Sequence, residues 1–206
     1  RLSVTVAPTP TVKERRVSST ESAAQGGWLS LLEHHARERG TKAAISMRDS
    51  EGRFRELSYA GLLERACVYA SFFAQHSEPG QVIPLCLARG PEAASAMLGA
   101  LIVGRAFCVV NSKLKGPQVE YIVSVTGAPC AVIDEVGLRA LRGGISPHSP
   151  LGQTGWLVLD EPGLSRLAKK TRDELAACAP MLTMAAPACS ELPRTSDAQD
   201  RAGACL

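Results

Sequence analysis

The densest group of potentially reactive residues lies between Gly143 and Gly155. Gly143-Gly144, Ser146, Ser149 and Gly152-Gln153-Thr154-Gly155 could cup a phosphate. A phosphate loop of the GxxxxGK[ST] kind works because backbone amides surround the oxygens and a lysine neutralises them. This stretch has no lysine and runs into a strand pattern instead of a helix, so a plain surface loop is expected. No GxGxxG occurs, which removes the dinucleotide fingerprint. Of the four histidines, His34 and His35 are adjacent on a helical pattern, a spacing that cannot hold a metal as HExxH does. His76 and His148 stand apart. Ser58, Ser71, Ser95 and Ser124 lack a GxSxG setting. Glu64, Glu92, Glu120 and Asp134 are isolated carboxylates, read as solvent-facing. The expected set is therefore empty: no catalytic, no cofactor-binding and no metal-ligating residue.

Seven cysteines, at 67, 86, 108, 130, 178, 189 and 205, form an odd set with no CxxC pair, which argues against zinc. Cys67, Cys86, Cys108 and Cys130 sit in apolar runs and read as small buried hydrophobes. A reducing, cytoplasmic setting follows as the expectation. The 206 residues are 45% hydrophobic, 21% charged and 4% aromatic, with a net charge of +3. This is globular composition. The basic and acidic residues are interspersed, so no nucleic-acid partner is expected. No apolar run is long enough for a membrane span.

The elements that would position any site are clearer than the site. Residues 1–25 are rich in Ser, Thr and Pro and read as a disordered arm. Apolar periodicity predicts a helix over Trp28–Arg39, stopped at Gly40. Ala43–Met47 and Phe54–Leu57 flank turn residues and predict a hairpin. Tyr59, Leu62, Leu63, Ala66, Ala70 and Phe73 recur at helical spacing behind Ser58, a good N-cap. From Val82 to Asp134 the order is strand, helix, strand, helix, strand. Gly90-Pro91 and Gly116-Pro117 open the two helices, with proline where its missing N–H costs nothing. Short continuous apolar strands alternating with helices predict a parallel sheet covered on both faces. Val136–Leu141 predicts a helical turn, Trp156–Asp160 a strand and Leu164–Ala177 a helix. Beyond Pro180 the chain is unpatterned.

Three pieces carry a family resemblance. Leu57-Ser58-Tyr59-Ala60-Gly61-Leu62 resembles the motif L-T/S-Y-x-E-L of adenylate-forming (AMP-binding) ligases, with Gly61 in place of Glu. Pro79-Gly80-Gln81-Val82-Ile83-Pro84-Leu85 resembles the strand entry PGDxVAL, and Arg89-Gly90-Pro91-Glu92 the helix start RSPE of peptide-synthetase relatives. Leu98–Phe107 resembles LGxLKAGGAYVPLD, although Val109-Val110-Asn111 lacks the usual proline. The likeness spans about Trp28 to Asp134. It implies an α/β fold of three layers, a mainly parallel sheet with helices on both faces. The chain would be the incomplete N-terminal part of such an enzyme, with disordered termini. The expected pieces are a disordered arm (1–25), a partial AMP-dependent synthetase/ligase domain (26–178) and a disordered tail (179–206).

The family reaction joins a carboxylate to the α-phosphate of ATP and releases pyrophosphate, so ATP and Mg are implied for the complete enzyme. The family's Ser/Thr/Gly loop ending in Pro-Lys-Gly is not in this sequence, and no site residue can be carried over. The resemblance thus implies an inactive N-terminal fragment of an acyl-CoA synthetase or adenylation-domain type ligase that binds no cofactor alone. Its partners would be the remainder of the enzyme and a carboxylic acid. Arg89-Gly90-Pro91-Glu92 leans toward amino acids. The alternative is a non-catalytic α/β binding or interaction module derived from that family. A sheet cut off from later segments is expected to expose apolar surface.

Overall fold

The computed structural model describes residues 27–48, 52–142, 145, 149–159 and 165–184. The expected arm 1–25, the hairpin turn 49–51, and Gly143, Gly144, Ser146 and His148 lie outside these residues. So do Cys189 and Cys205.

Helix α1 (Gly27–Glu38) leads into the antiparallel hairpin β1 (Ala43–Arg48) and β2 (Phe54–Ser58). Gly40, expected to stop α1, is not among the positive-φ glycines. It is required for closeness instead: a Cβ there would lie 2.6 Å from the Ala36 carbonyl oxygen. Ser58 closes β2 and opens α2 (Tyr59–His76), its Oγ accepting from the Gly61 amide at 3.2 Å. This meets one of the orphan donors of the first turn.

The main sheet then begins. Strand β3 (Val82–Cys86), helix α3 (Pro91–Ile102), strand β4 (Ala106–Val109), helix α4 (Gly116–Thr126) and strand β5 (Cys130–Ile133) follow in the predicted order. Next come α5 (Glu135–Leu141), a 3-10 turn at Pro150–Gln153, β6 (Gly155–Val158), α6 (Arg166–Ala176) and β7 (Met181–Leu182). All pairings are parallel, in the order β4-β3-β5-β6-β7. Read by position in the sheet this is the doubly wound 2-1-3-4-5 arrangement. Pro84 sits in β3, an interior strand, where a missing N–H is normally excluded. It opposes Cys108 of β4, and the pairing with β5 starts one residue later, at Leu85.

Strand alternation sorts the core into two faces. Ile83, Leu85, Cys130, Val132 and Leu157 point to the side covered by α2 and α3, with Trp28 and Leu29 of α1 packed against them. Cys86, Ala131, Ile133 and Trp156 point to the side covered by α4, α5 and α6. A three-layer α/β/α body results.

Three expectations are corrected. The ordered sheet does not stop at residue 178: β7 pairs Met181 with Trp156 and Leu182 with Leu157. Two residues leave too short a pattern to detect. The turn at Val136–Leu141 is a seven-residue helix, started by the side chain of Asp134. The sheet is also not bare. Helices cover both faces, and the large hydrophobics exposed among the described residues are Leu31, Phe54, Val109, Tyr121, Val125 and Met181, scattered over five elements. Tyr121 and Val125, one turn apart on α4, share a face.

Candidate functional site

In a doubly wound sheet, ligands gather outside the carboxyl ends of the strands, where the winding reverses. Here that point lies between β3 and β5. It is closed. The Asp134 carboxylate accepts from the Ala88 amide in the loop after β3 at 2.6 Å. Its other oxygen accepts from the Gly137 amide in the first turn of α5 at 2.9 Å. A Cβ on Gly137 would collide with the Cys86 carbonyl oxygen, so α5 lies directly on β3. The Cys86 thiol is pushed up to about 12, by burial first and then by the Asp134 charge. Asp134 is thus neither isolated nor free, contrary to the sequence reading.

The same holds for two other carboxylates read as solvated. Glu92 accepts from Tyr69 Oη at 3.0 Å and pairs with Arg65, tying α3 to α2. Burial, and then Glu92, raises the Tyr69 phenol above its ordinary range. Glu120 accepts from Ser149 Oγ at 2.6 Å, fastening the 143–155 stretch to α4. Within that stretch Thr154 Oγ1 donates to the Ala128 carbonyl (3.0 Å) and Trp156 Nε1 to the Leu151 carbonyl (3.2 Å). The described residues of the supposed phosphate loop therefore do structural work. Among the described residues no group of three or more His, Cys, Asp or Glu could hold a metal. His35 packs on Tyr59 with ring centres 5.2 Å apart.

An open concavity does lie at the carboxyl end of β4. It encloses about 570 Å³ and is lined by Ser112, Lys113, Leu114 and Lys115 before α4, by Val136, Arg139 and Ala140 of α5 and by Arg142 just after it. All four cations are exposed and no carboxylate lines the space. Arg139 is engaged by Glu135 one turn earlier. That hydrogen bond, with help from Ser165, holds Glu135 below the usual carboxylate range. Backbone bonds fix the approach to α4. The Lys113 amide donates to Asn111 Oδ1 at 2.9 Å, and the Lys115 amide to Gln118 Oε1 at 3.1 Å. Sequence reasoning missed these four residues. Lys-x-Lys and Arg-x-x-Arg are each visible as spacings, but only the α4–α5 contact brings them together.

The family described as "AMP-binding enzyme" matches residues 32–200. A nonribosomal peptide synthetase 8 of Aspergillus fumigatus is 28% identical over 137 residues, 66% of this chain and 2% of that protein. The adenylation domain of a carboxylate reductase from Mycobacterium chelonae superposes with a TM-score of 0.57 at 17% identity, covering 75% of this chain and 27% of that one. The A-PCP didomain of a carboxylic acid reductase from Segniliparus rugosus gives 0.56 at 16% identity, covering 81% and 27%. These two share the fold, and the chain spans about a quarter of their length. The match over 32–200 places this chain in the AMP-binding enzyme family.

Proposed function

We propose that this chain supplies the opening scaffold of an ATP-dependent carboxylate-activating ligase, and that the groups contacting the ATP phosphates lie outside it. The observation that carries the reading is the all-parallel β4-β3-β5-β6-β7 sheet built from the segments that resemble the family. ATP and Mg belong to the reading as cofactors of the whole enzyme, with a carboxylic acid as substrate. The residues at the switch point do not fit them. Asp134 is spent on two backbone amides, and Gly137 leaves no gap against β3. Phosphoryl chemistry needs aligned donors and positive charge around the phosphates, and no Pro-Lys-Gly occurs in the 206 residues. Purified chain is therefore expected to show no ATP–pyrophosphate exchange with amino, aryl or fatty acids, and exchange by the pure protein would overturn the reading. A chimaera carrying residues 57–134 in the equivalent place of an active relative should retain exchange. A well-folded but inactive chimaera would count against a scaffold role.

A second reading, a non-catalytic binding or interaction module, is favoured by the closure of both sheet faces by helices of this chain. It is expected to melt cooperatively as a monomer, with light scattering and calorimetry as the checks. Aggregation of the folded chain would remove its support.

A further inference from the structure

We propose that the concavity between the start of α4 and α5 is a docking surface for an acidic protein segment. Lys113, Lys115, Arg139 and Arg142 surround a floor of Leu114, Val136 and Ala140. Two features select the occupant. First, the space is about 570 Å³ and open, far larger than one small anion requires, and its cations come from two separate elements. A partner that presents several carboxylates along a backbone can meet them together. Second, the nearby acids are engaged: Glu135 by Arg139 and the Ser165 amide, Glu120 by Ser149. Glu135 neutralises Arg139, and the charge at the opening is carried by Lys113, Lys115 and Arg142. The lining holds no aromatic side chain on which a base could stack, which disfavours single-stranded nucleic acid. Complementary charge of this kind sets encounter rate and orientation more than raw affinity. The binding is therefore weak, fast and salt-sensitive, and it does not depend on the chain being part of a ligase.

The test uses the 206-residue chain and a short fluorescein-labelled polyglutamate peptide, read by anisotropy at low salt. Lys113→Glu/Lys115→Glu should weaken binding by about tenfold or more, whereas Arg37→Glu/Lys42→Glu, the same charge change away from this space, should leave it nearly unchanged. Raising the salt should abolish the signal. All four substituted residues are exposed, and unchanged circular dichroism and melting temperature confirm that both variants fold. Equal loss in the two variants, or no binding at low salt, overturns the proposal. So does complete competition by inorganic phosphate at modest concentration, which would make this a small-anion site. Tighter binding of oligothymidylate than of polyglutamate would make it a nucleic-acid surface and also overturn the proposal.

Discussion

The two faces of the sheet are held by different means. On one, α2 and α3 are locked to each other. A Cβ added at Gly99 would lie 2.5 Å from Tyr69 Cβ and 2.8 Å from the Ala66 carbonyl oxygen, so the helices touch backbone to side chain. Glu92 ties them at one end. Arg105 ties them at the other, bonding the carbonyls of Ser77 and Val103 and, at 3.1 Å, Ser77 Oγ. On the opposite face α4, α5 and α6 are shorter, and each is pinned to a loop. Ser149 holds α4, Asp134 fixes the start of α5, and the Ser165 amide meets Glu135. The first face is a block that fails as a unit. The second is a set of separately fastened helices, and it carries the described cavity.

The largest expected effect breaks the block. Gly99→Val must push α3 off α2, because neither the Tyr69 Cβ nor the Ala66 backbone can yield. We expect a loss above about 3 kcal/mol, seen as a low urea midpoint or as insoluble expression. Near wild-type stability would mean the helices are not in contact there. Arg105→Met comes next. Arg105 is only 7% exposed and donates to Ser77 and Val103; it sits at two helix ends, where carbonyls and the macrodipole favour a cation. Its removal strands those acceptors and should cost about 3 kcal/mol. Arg105→Lys should rescue little, since one ammonium cannot reproduce the guanidinium fork. On the other face Asp134→Ala should cost about 1–2 kcal/mol, with local opening of α5 by hydrogen exchange and little change in α2 and α3.

The contrast also explains what the sequence allowed to be read. The elements from α1 to β5 are visible because apolar period and Gly-Pro punctuation are local signals, whereas α5 reads only as a turn and the 3-10 turn at Pro150–Gln153 is not read. The sheet's doubly wound character follows from strand and helix alternation. The ties that Glu92, Glu120 and Asp134 make to Tyr69, Ser149 and Ala88 were invisible, since those partners lie 23 to 46 residues away, whereas the Asp134 cap on Gly137 is local and was overlooked. Arg105 stands where the resemblance has a small residue, and its burial could not be inferred from an apolar pattern. The cavity belongs to the same class: two short basic spacings that only the packing of α5 beside α4 unites.

Two buried thiols probe the faces separately. Cys130 faces α2 and α3, and Cys86 faces α5. Burial pushes both up to about 12 from 9.0, aided at Cys86 by Asp134 and opposed at Cys130 by Arg105. The unfolded chain sheds these protons first. It then binds fewer protons than the native state, so stability falls as pH rises. The contribution is complete below about pH 9 and erodes from there toward about pH 12. At about pH 10.5 each thiol should cost about 2 kcal/mol, and Tyr69 adds a loss of the same sign. Urea midpoints at about pH 8 and 10.5 check this. Cys86→Ala and Cys130→Ala should each flatten the slope, by similar amounts if both faces exclude water equally well. If only one of them flattens the slope, the other thiol lies on the leakier face.

The smallest effect concerns how the block begins. Ser58 caps α2 through the Gly61 amide, yet Gly61 stands where a capping box places Glu. Gly61→Glu removes a glycine from the first turn, worth about 1 kcal/mol, and sets a carboxylate at the positive end of α2, worth a few tenths more. Against this, a Cβ at position 61 would sit 3.0 Å from Leu57 Cδ1. Leu57 packs in the small cluster of Leu32 and Leu62, away from the Gly99 contact, and the end of its side chain can rotate aside. A net gain of about 0.5–1 kcal/mol is expected, a rise of about 1–4 °C in melting temperature. Because the change lies at the start of α2, Gly61→Glu should add independently to Asp134→Ala on the other face. Strong non-additivity between them would show that the two faces are coupled through the sheet.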